Sequence, residues 1–291
     1  MESESGSVSR NKSGRIKALI SLLGDDDRKI RRIAKSHLLE LGDDATSLLD
    51  QTVREDTDGK TRIQARAILE QIRREELALS FHILAMQRDE DIDLEKGVFL
   101  LARYAYPQLE YHEISSELNH LAHRVSEMIG DSTSAGKIVY SLNHVLFEEA
   151  GFRGNTDNYY SPENSFINKV LSKRSGIPIS LSVVYLLVAR RLGLPIYGVR
   201  MPMHLLCMYD QPPEPFYIDA YHRGHLMTRA ECISFMKRAG VGFKESYLER
   251  ASNREVLGRV LRNQILVYYH NEEDRKVSFL KHLLKILKNY S

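Results

Sequence analysis

The chain has 291 residues, with 41 lysines and arginines against 39 aspartates and glutamates, and a formal net charge of +2. That balance gives no global pull toward nucleic acid. Hydrophobic residues make up 43% and charged residues 27%, which excludes a disordered or fibrous chain and leaves room for two globular domains.

Residues 1–13 begin MESESGSVSRNKS, which lacks the apolar stretch of a secretory signal. They are expected to form a disordered lead. No apolar run reaches membrane-spanning length, so no membrane partner is expected. Cys207 and Cys232 are the only cysteines, too few for a disulfide scaffold. The expected compartment is the cytoplasm.

Residues 14–74 show helical spacing. Ile30, Ile33, Ala34, Leu38 and Leu41 recur at three- and four-residue steps, which predicts one apolar helix face. Asp25, Asp26 and Asp27 precede that helix, where carboxylates cap free N–H groups. Gly42 follows it as a stop. Arg31, Ala34, Lys35, Leu38 and Leu41 align with Arg62, Ala65, Arg66, Leu69 and Ile72 at a constant offset of 31 residues. A fixed period of this size signals stacked helical repeats. The stretch LLGDDDRKIRRIAKSHLLELGD resembles the HEAT-repeat family, which implies a surface for binding a protein. Two helical hairpins that merely complete a larger helical domain fit the same pattern.

Residues 75–136 read as two more helices, broken at Pro107. Leu94, Val98 and Leu101 or Ala102 share one face; Ile114, Leu118, Leu121 and Val125 share another. His120 and His123 stand three apart, but no acidic or cysteine companion completes a zinc set. No metal site and no cofactor are expected.

Residues 137–250 hold the chemistry. GFRGNTDNYYSPENS is rich in Gly, Asn, Asp, Ser and Pro, and is predicted to be an irregular loop suited to building part of a site. Ser180 to Leu192 is a nearly continuous apolar helix, expected to be buried on several sides. Pro195 to Val199, Leu205 to Tyr209 and Phe216 to Asp219 read as short strands, with a turn at Gln211 to Pro215. Residues 251–291 form a helical tail. The fold class is therefore α+β, with a helical N-terminal region, a core with a small antiparallel sheet, and that tail.

GIPISLSVVYLLVARRLGLPIYGV, MPMHLLCMYD and FYIDAYHRGHL, in this order, resemble the transglutaminase-like superfamily, which has a papain-like core. LNHVLFEEAGFRGN and NSFINKVLSKRSGIPISLS are similar to its bacterial SirB-type branch. In active members a cysteine starts a buried helix, a histidine follows on one strand and an aspartate on the next. The resemblance implies that His204 and Asp219 are the histidine and the aspartate. The cysteine position falls on Pro178, which has no nucleophile. Ser180 and Ser182 are the nearest hydroxyls, although serine at a helix start is more often a cap. Cys207 shares a strand with His204, and alternation turns it to the other face.

Asn143, Asn155, Tyr160 and Pro178 are candidate binding residues; loop hydrogen bonding is the plainer role for the first three. His222 and Arg223 fit either an anion-binding edge or a solvated turn. Removing a nucleophile costs on the order of a million-fold in turnover in subtilisin-type enzymes. The expected function is a non-catalytic interaction or scaffold protein with a protein partner. The alternative is a hydrolase or acyl transferase using Ser180 or Ser182 with His204 and Asp219.

Overall fold

The computed structural model describes residues 2–89, 91–211 and 215–290. Most of the expected turn at Gln211 to Pro215 lies outside them. The chain forms two compact units, Met1–Leu79 and Ser80–Ser291.

The first unit is helical: α1 (Glu2–Ser21), α2 (Arg28–Leu41), α3 (Asp43–Glu55) and most of α4 (Gly59–Ala85). Ile16, Ile20 and Leu23 join Ala34, Leu38, Ala45, Leu49, Ala65 and Ile68 in one buried cluster. α1 takes in the residues expected to form a disordered lead. They continue, toward the N-terminus, a helix that Ile16 and Ile20 anchor in the cluster. Ile33 departs from the expected apolar face and is 56% exposed. It sits about 100° around the helix from Ala34, and the buried stripe follows Ala34 and Leu38.

The helix starts repeat. The Asp25 carboxylate accepts from the Asp27 N–H, and that of Asp27 accepts from the Lys29 N–H, both at 2.7 Å. Asp56, Asp58 and Lys60 make the same pair of bonds 31 residues further along. Each satisfies N–H groups that a helix start leaves unpaired.

The second unit opens with α5 (Leu94–Ala105) and α6 (Tyr111–Ile129). The predicted faces Leu94–Val98–Leu101 and Ile114–Leu118–Leu121–Val125 are buried. α7 (Ala135–Asn143) runs into one π-helical turn, His144–Glu149. β1 (Arg153–Gly154) and β2 (Ser175–Gly176) form a short parallel pair on either side of α8 (Ile167–Lys173). α9 (Pro178–Arg191) is buried from Pro178 through Ala189. It packs against α6, α8 and β3 (Ile196–Val199).

β4 (Cys207–Tyr209), β5 (Phe216–Asp219), β6 (His225–Met227) and β7 (Arg250–Ala251) complete an antiparallel sheet of order β6-β5-β4-β3-β7. α10 (Arg229–Arg238) follows β6, and α11 (Asn253–His270) and α12 (Asp274–Lys288) close the chain. α11 packs on α12, α5 and α9, so the tail is an integral part of this unit.

Candidate active-site cleft

α9 begins with Pro178 in its first position, where no N–H is needed. The Ser180 hydroxyl accepts from the Ile177 N–H at 3.0 Å and donates to the Ile177 carbonyl at 3.1 Å. It closes the helix cap. One turn in, the Ser182 hydroxyl donates to the Leu205 carbonyl at 2.7 Å and ties α9 to the segment before β4. The Cys207 thiol points to the Ser182 carbonyl at 3.7 Å. Burial pushes that thiol well above its ordinary pKa, and the Asp219 charge adds to the effect.

His204 lies just before β4, in a tight bend. Its N–H donates to the Pro202 carbonyl at 2.8 Å. Met203, the residue between them, has φ of +65° and is 72% exposed. A side chain in the left-handed region is held there at a cost. The bend turns Met203 outward and His204 inward.

Asp219 ends β5. Its Oδ1 accepts from His204 Nε2 at 2.8 Å and from the backbone N–H groups of Tyr221 and His222 at 3.0 and 3.2 Å. Its Oδ2 accepts from His222 Nδ1 at 2.8 Å. Burial would raise this carboxyl; the hydrogen bonds and charges of His204 and His222 outweigh it and hold it below the usual range. An ionised carboxylate only accepts, so the His204 Nε2 donates to it. Among the described residues no hydroxyl or thiol hydrogen-bonds this ring; Ser180 and Ser182 are bonded elsewhere.

Two of the four candidate binding residues brace the site. Asn143 starts the π-helical turn, accepts from the Tyr185 hydroxyl at 3.1 Å and donates to the Gly224 carbonyl at 2.9 Å. Gly224 has φ of +74°, and the Asn143 amide fills the place that a β-carbon there would take. Asn143 therefore fixes the turn after Asp219. Asn155 donates to Asn164 Oδ1 at 2.9 Å, and its backbone N–H reaches the Gly176 carbonyl at 2.8 Å, which fastens the irregular loop to the start of α9. Tyr160 leaves this group and lies against the His270 ring at 4.3 Å between centroids.

Pro178 does line a cleft. Pro178, Ile179, Met203, Leu205 and Leu266 are the aliphatic part of its lining, around a volume of about 280 Å³. His204 stands between two of those residues in sequence.

His222 is the residue that the sequence reading misplaced. It joins the pair as a third member, while Arg223 pairs with Glu148. The signal was its position three residues after Asp219 in a tight turn, which puts a side chain back over the carboxylate. His204, Asp219 and His222 each offer one ligand atom, all within 4.8 Å of one another. They are the described residues that could hold a metal ion, where none was expected. An ion there would displace the two N–H protons that now hold the carboxylate.

The sequence pattern of the transglutaminase-like superfamily matches residues 112–262, which include α9, His204 and Asp219. A UPF0162 protein of Xylella fastidiosa (strain Temecula1) is 30% identical, over 71% of this chain and 76% of its own. One from Vibrio cholerae serotype O1 is 25% identical, over 60% and 66%. F-box only protein 21 of Mus musculus is 27% identical, over 58% of this chain and 32% of its own. No solved structure matches the chain. The helical first unit lies outside the superfamily pattern; through its second unit the chain belongs to the transglutaminase-like superfamily.

Proposed function

We propose that this chain is a non-catalytic member of its superfamily that uses the cleft to hold a protein partner. One observation carries the reading: Pro178 stands at the first position of α9, and both nearby serine hydroxyls are committed to backbone partners. Neither serine hydroxyl hydrogen-bonds the His204 ring, so the pair has no nucleophile to activate. Cys207 does not substitute, because a buried thiol with a raised pKa supplies almost no thiolate at neutral pH. The match to F-box only protein 21 covers about a third of that protein's length.

The retained His204–Asp219 pair favours a second reading, a hydrolase in which Ser182 or Ser180 swings out of its backbone bond. Turnover decides between them. The chain is incubated with p-nitrophenyl acetate and, separately, with a glutaminyl peptide and a primary amine. The expected rates equal those of His204→Ala. A rate that disappears in both His204→Ala and Ser182→Ala, or in both His204→Ala and Ser180→Ala, establishes the enzyme and ends the non-catalytic reading.

A further inference from the structure

α11 contributes Arg259, Arg262 and Asn263 to the lining of the cleft. Every charged residue lining the cleft is therefore basic. Arg259 Nη1 donates to the carbonyls of Val199 and Met201, at 3.2 and 2.8 Å, which fixes its guanidinium at the end of β3. Neither arginine forms an ion pair with a carboxylate among the described residues.

This is unusual for its surroundings. Arg200 pairs with Glu249 and Glu255, and Arg250 pairs with Asp210. Glu255, the acidic group nearest in effect to both cleft arginines, also accepts from the Ser252 N–H at 2.8 Å. The neighbouring carboxylates are thus already engaged. Burial lowers the Arg259 pKa to about 10, the Arg262 charge pushes the same way, and Glu255 only partly offsets them. Burial also lowers Arg262. Two like charges, partly desolvated and only partly offset by Glu255, oppose one another until an anion arrives.

The rest of the cleft limits what that anion belongs to. Its lining is partly aliphatic, and its volume of about 280 Å³ suits one or two side chains better than a nucleotide. Pro178 and Ile179 are the first residues of α9, so the positive end of that helix faces the same space. A free phosphate would leave the apolar surface bare. A peptide carboxylate beside an apolar side chain covers both parts.

We propose that the cleft binds a glutamate or aspartate side chain carried beside an apolar residue on a protein partner, with Arg259 and Arg262 as the anion clamp and Pro178, Leu205 and Leu266 under the apolar neighbour. This rests on the partner-holding reading of the same cleft.

The test uses the full chain and a fluorescein-labelled, C-terminally amidated peptide, Ser-Gly-Leu-Glu-Leu, with Ser-Gly-Leu-Gln-Leu as its uncharged counterpart. Anisotropy is read at low and high salt, and inorganic phosphate is added as a competitor. The expected result is binding of the glutamate peptide about tenfold tighter than the glutamine peptide, with the difference shrinking in salt. Arg262→Gln abolishes the preference and Arg262→Lys keeps part of it. Arg262 is exposed, so its variants are expected to fold; Arg259→Gln also loses two carbonyl bonds and is read only after its fold is checked.

Equal affinity for the two peptides, no binding of either, or a preference unchanged in Arg262→Gln overturns the clamp. Binding of phosphate without binding of peptide does the same. Each incubated peptide is then analysed by mass. An intact, bound glutamate peptide supports both readings. A peptide hydrolysed by the wild type but not by His204→Ala ends the non-catalytic reading and leaves the clamp standing. Absence of binding with intact peptide removes the clamp alone.

Discussion

Asp219 accepts four hydrogen bonds on two oxygens. Asp219→Asn keeps the shape but replaces one acceptor oxygen with a donor that faces a donor. The expected loss is about 1–3 kcal/mol of stability, read by urea unfolding at neutral pH. A loss within error would mean that the two imidazoles find other acceptors at no cost. The pH dependence follows from the lowered pKa of this carboxyl. A depressed acid stabilises the fold above its unfolded-state value and loses that contribution as pH falls through its folded-state value. The gap between wild type and Asp219→Asn is thus expected to be constant near neutrality and to close in acid, below about pH 4. A gap that widens in acid contradicts the assignment. The His204–Asp219 pair was legible because two short strands and a turn separate the residues, and an antiparallel hairpin returns one to the other. The serine partners were not legible, since a hydroxyl at a helix start serves as cap or nucleophile with the same local sequence. Only the geometry shows Ser180 closing the cap and Ser182 reaching Leu205.

α9 was readable at the scale of the element because an apolar run of helical length can only be buried on all sides. β6 and β7 were not. Each is two or three residues long and bears exposed side chains such as His225 and Arg250, so no alternation marks them; they exist by backbone pairing to β5 and β3. The tail was read as helical, but its attachment depends on a residue with no special sequence signal. Arg254, 4% exposed at the start of α11, donates to the carbonyls of Leu287, Ala85 and Gln87 and pairs with Asp89. It joins α12, the end of α4 and the segment before α5. Replacing it by Met leaves three carbonyls and a carboxylate without their donor. The expected cost is about 3–5 kcal/mol, measured as a shift in the urea midpoint. Arg254→Lys, which keeps the charge but has no planar fork, is expected to recover only part of it. A cost under about 1 kcal/mol for the Met variant would show that water satisfies those groups and that α11 docks by its apolar face alone.

The chain divides after Leu79, and the smaller unit is helical, as its apolar spacing implied. The 31-residue period is written twice, in the buried positions Ala34 and Ala65 and in the aspartate caps. The limit of that unit falls inside α4, which runs through it without a glycine or proline at that point. Each unit has its own buried cluster, and burial of apolar surface is the main stabilising contribution to either. Damage to one cluster is therefore expected to stay with its unit. Leu38 is fully buried in the first cluster, and Leu38→Ala is expected to cost about 2–5 kcal/mol there. The composition supplies a clean reporter: all 15 tyrosines lie from Tyr104 onward, and the chain has no tryptophan. Tyrosine fluorescence follows the second unit alone, whereas far-ultraviolet circular dichroism follows the helices of both. In Leu38→Ala the dichroism curve is expected to gain an early step, with the fluorescence midpoint unchanged. If the two signals shift together, the units unfold as one cooperative body and the loss at Leu38 is shared across the chain.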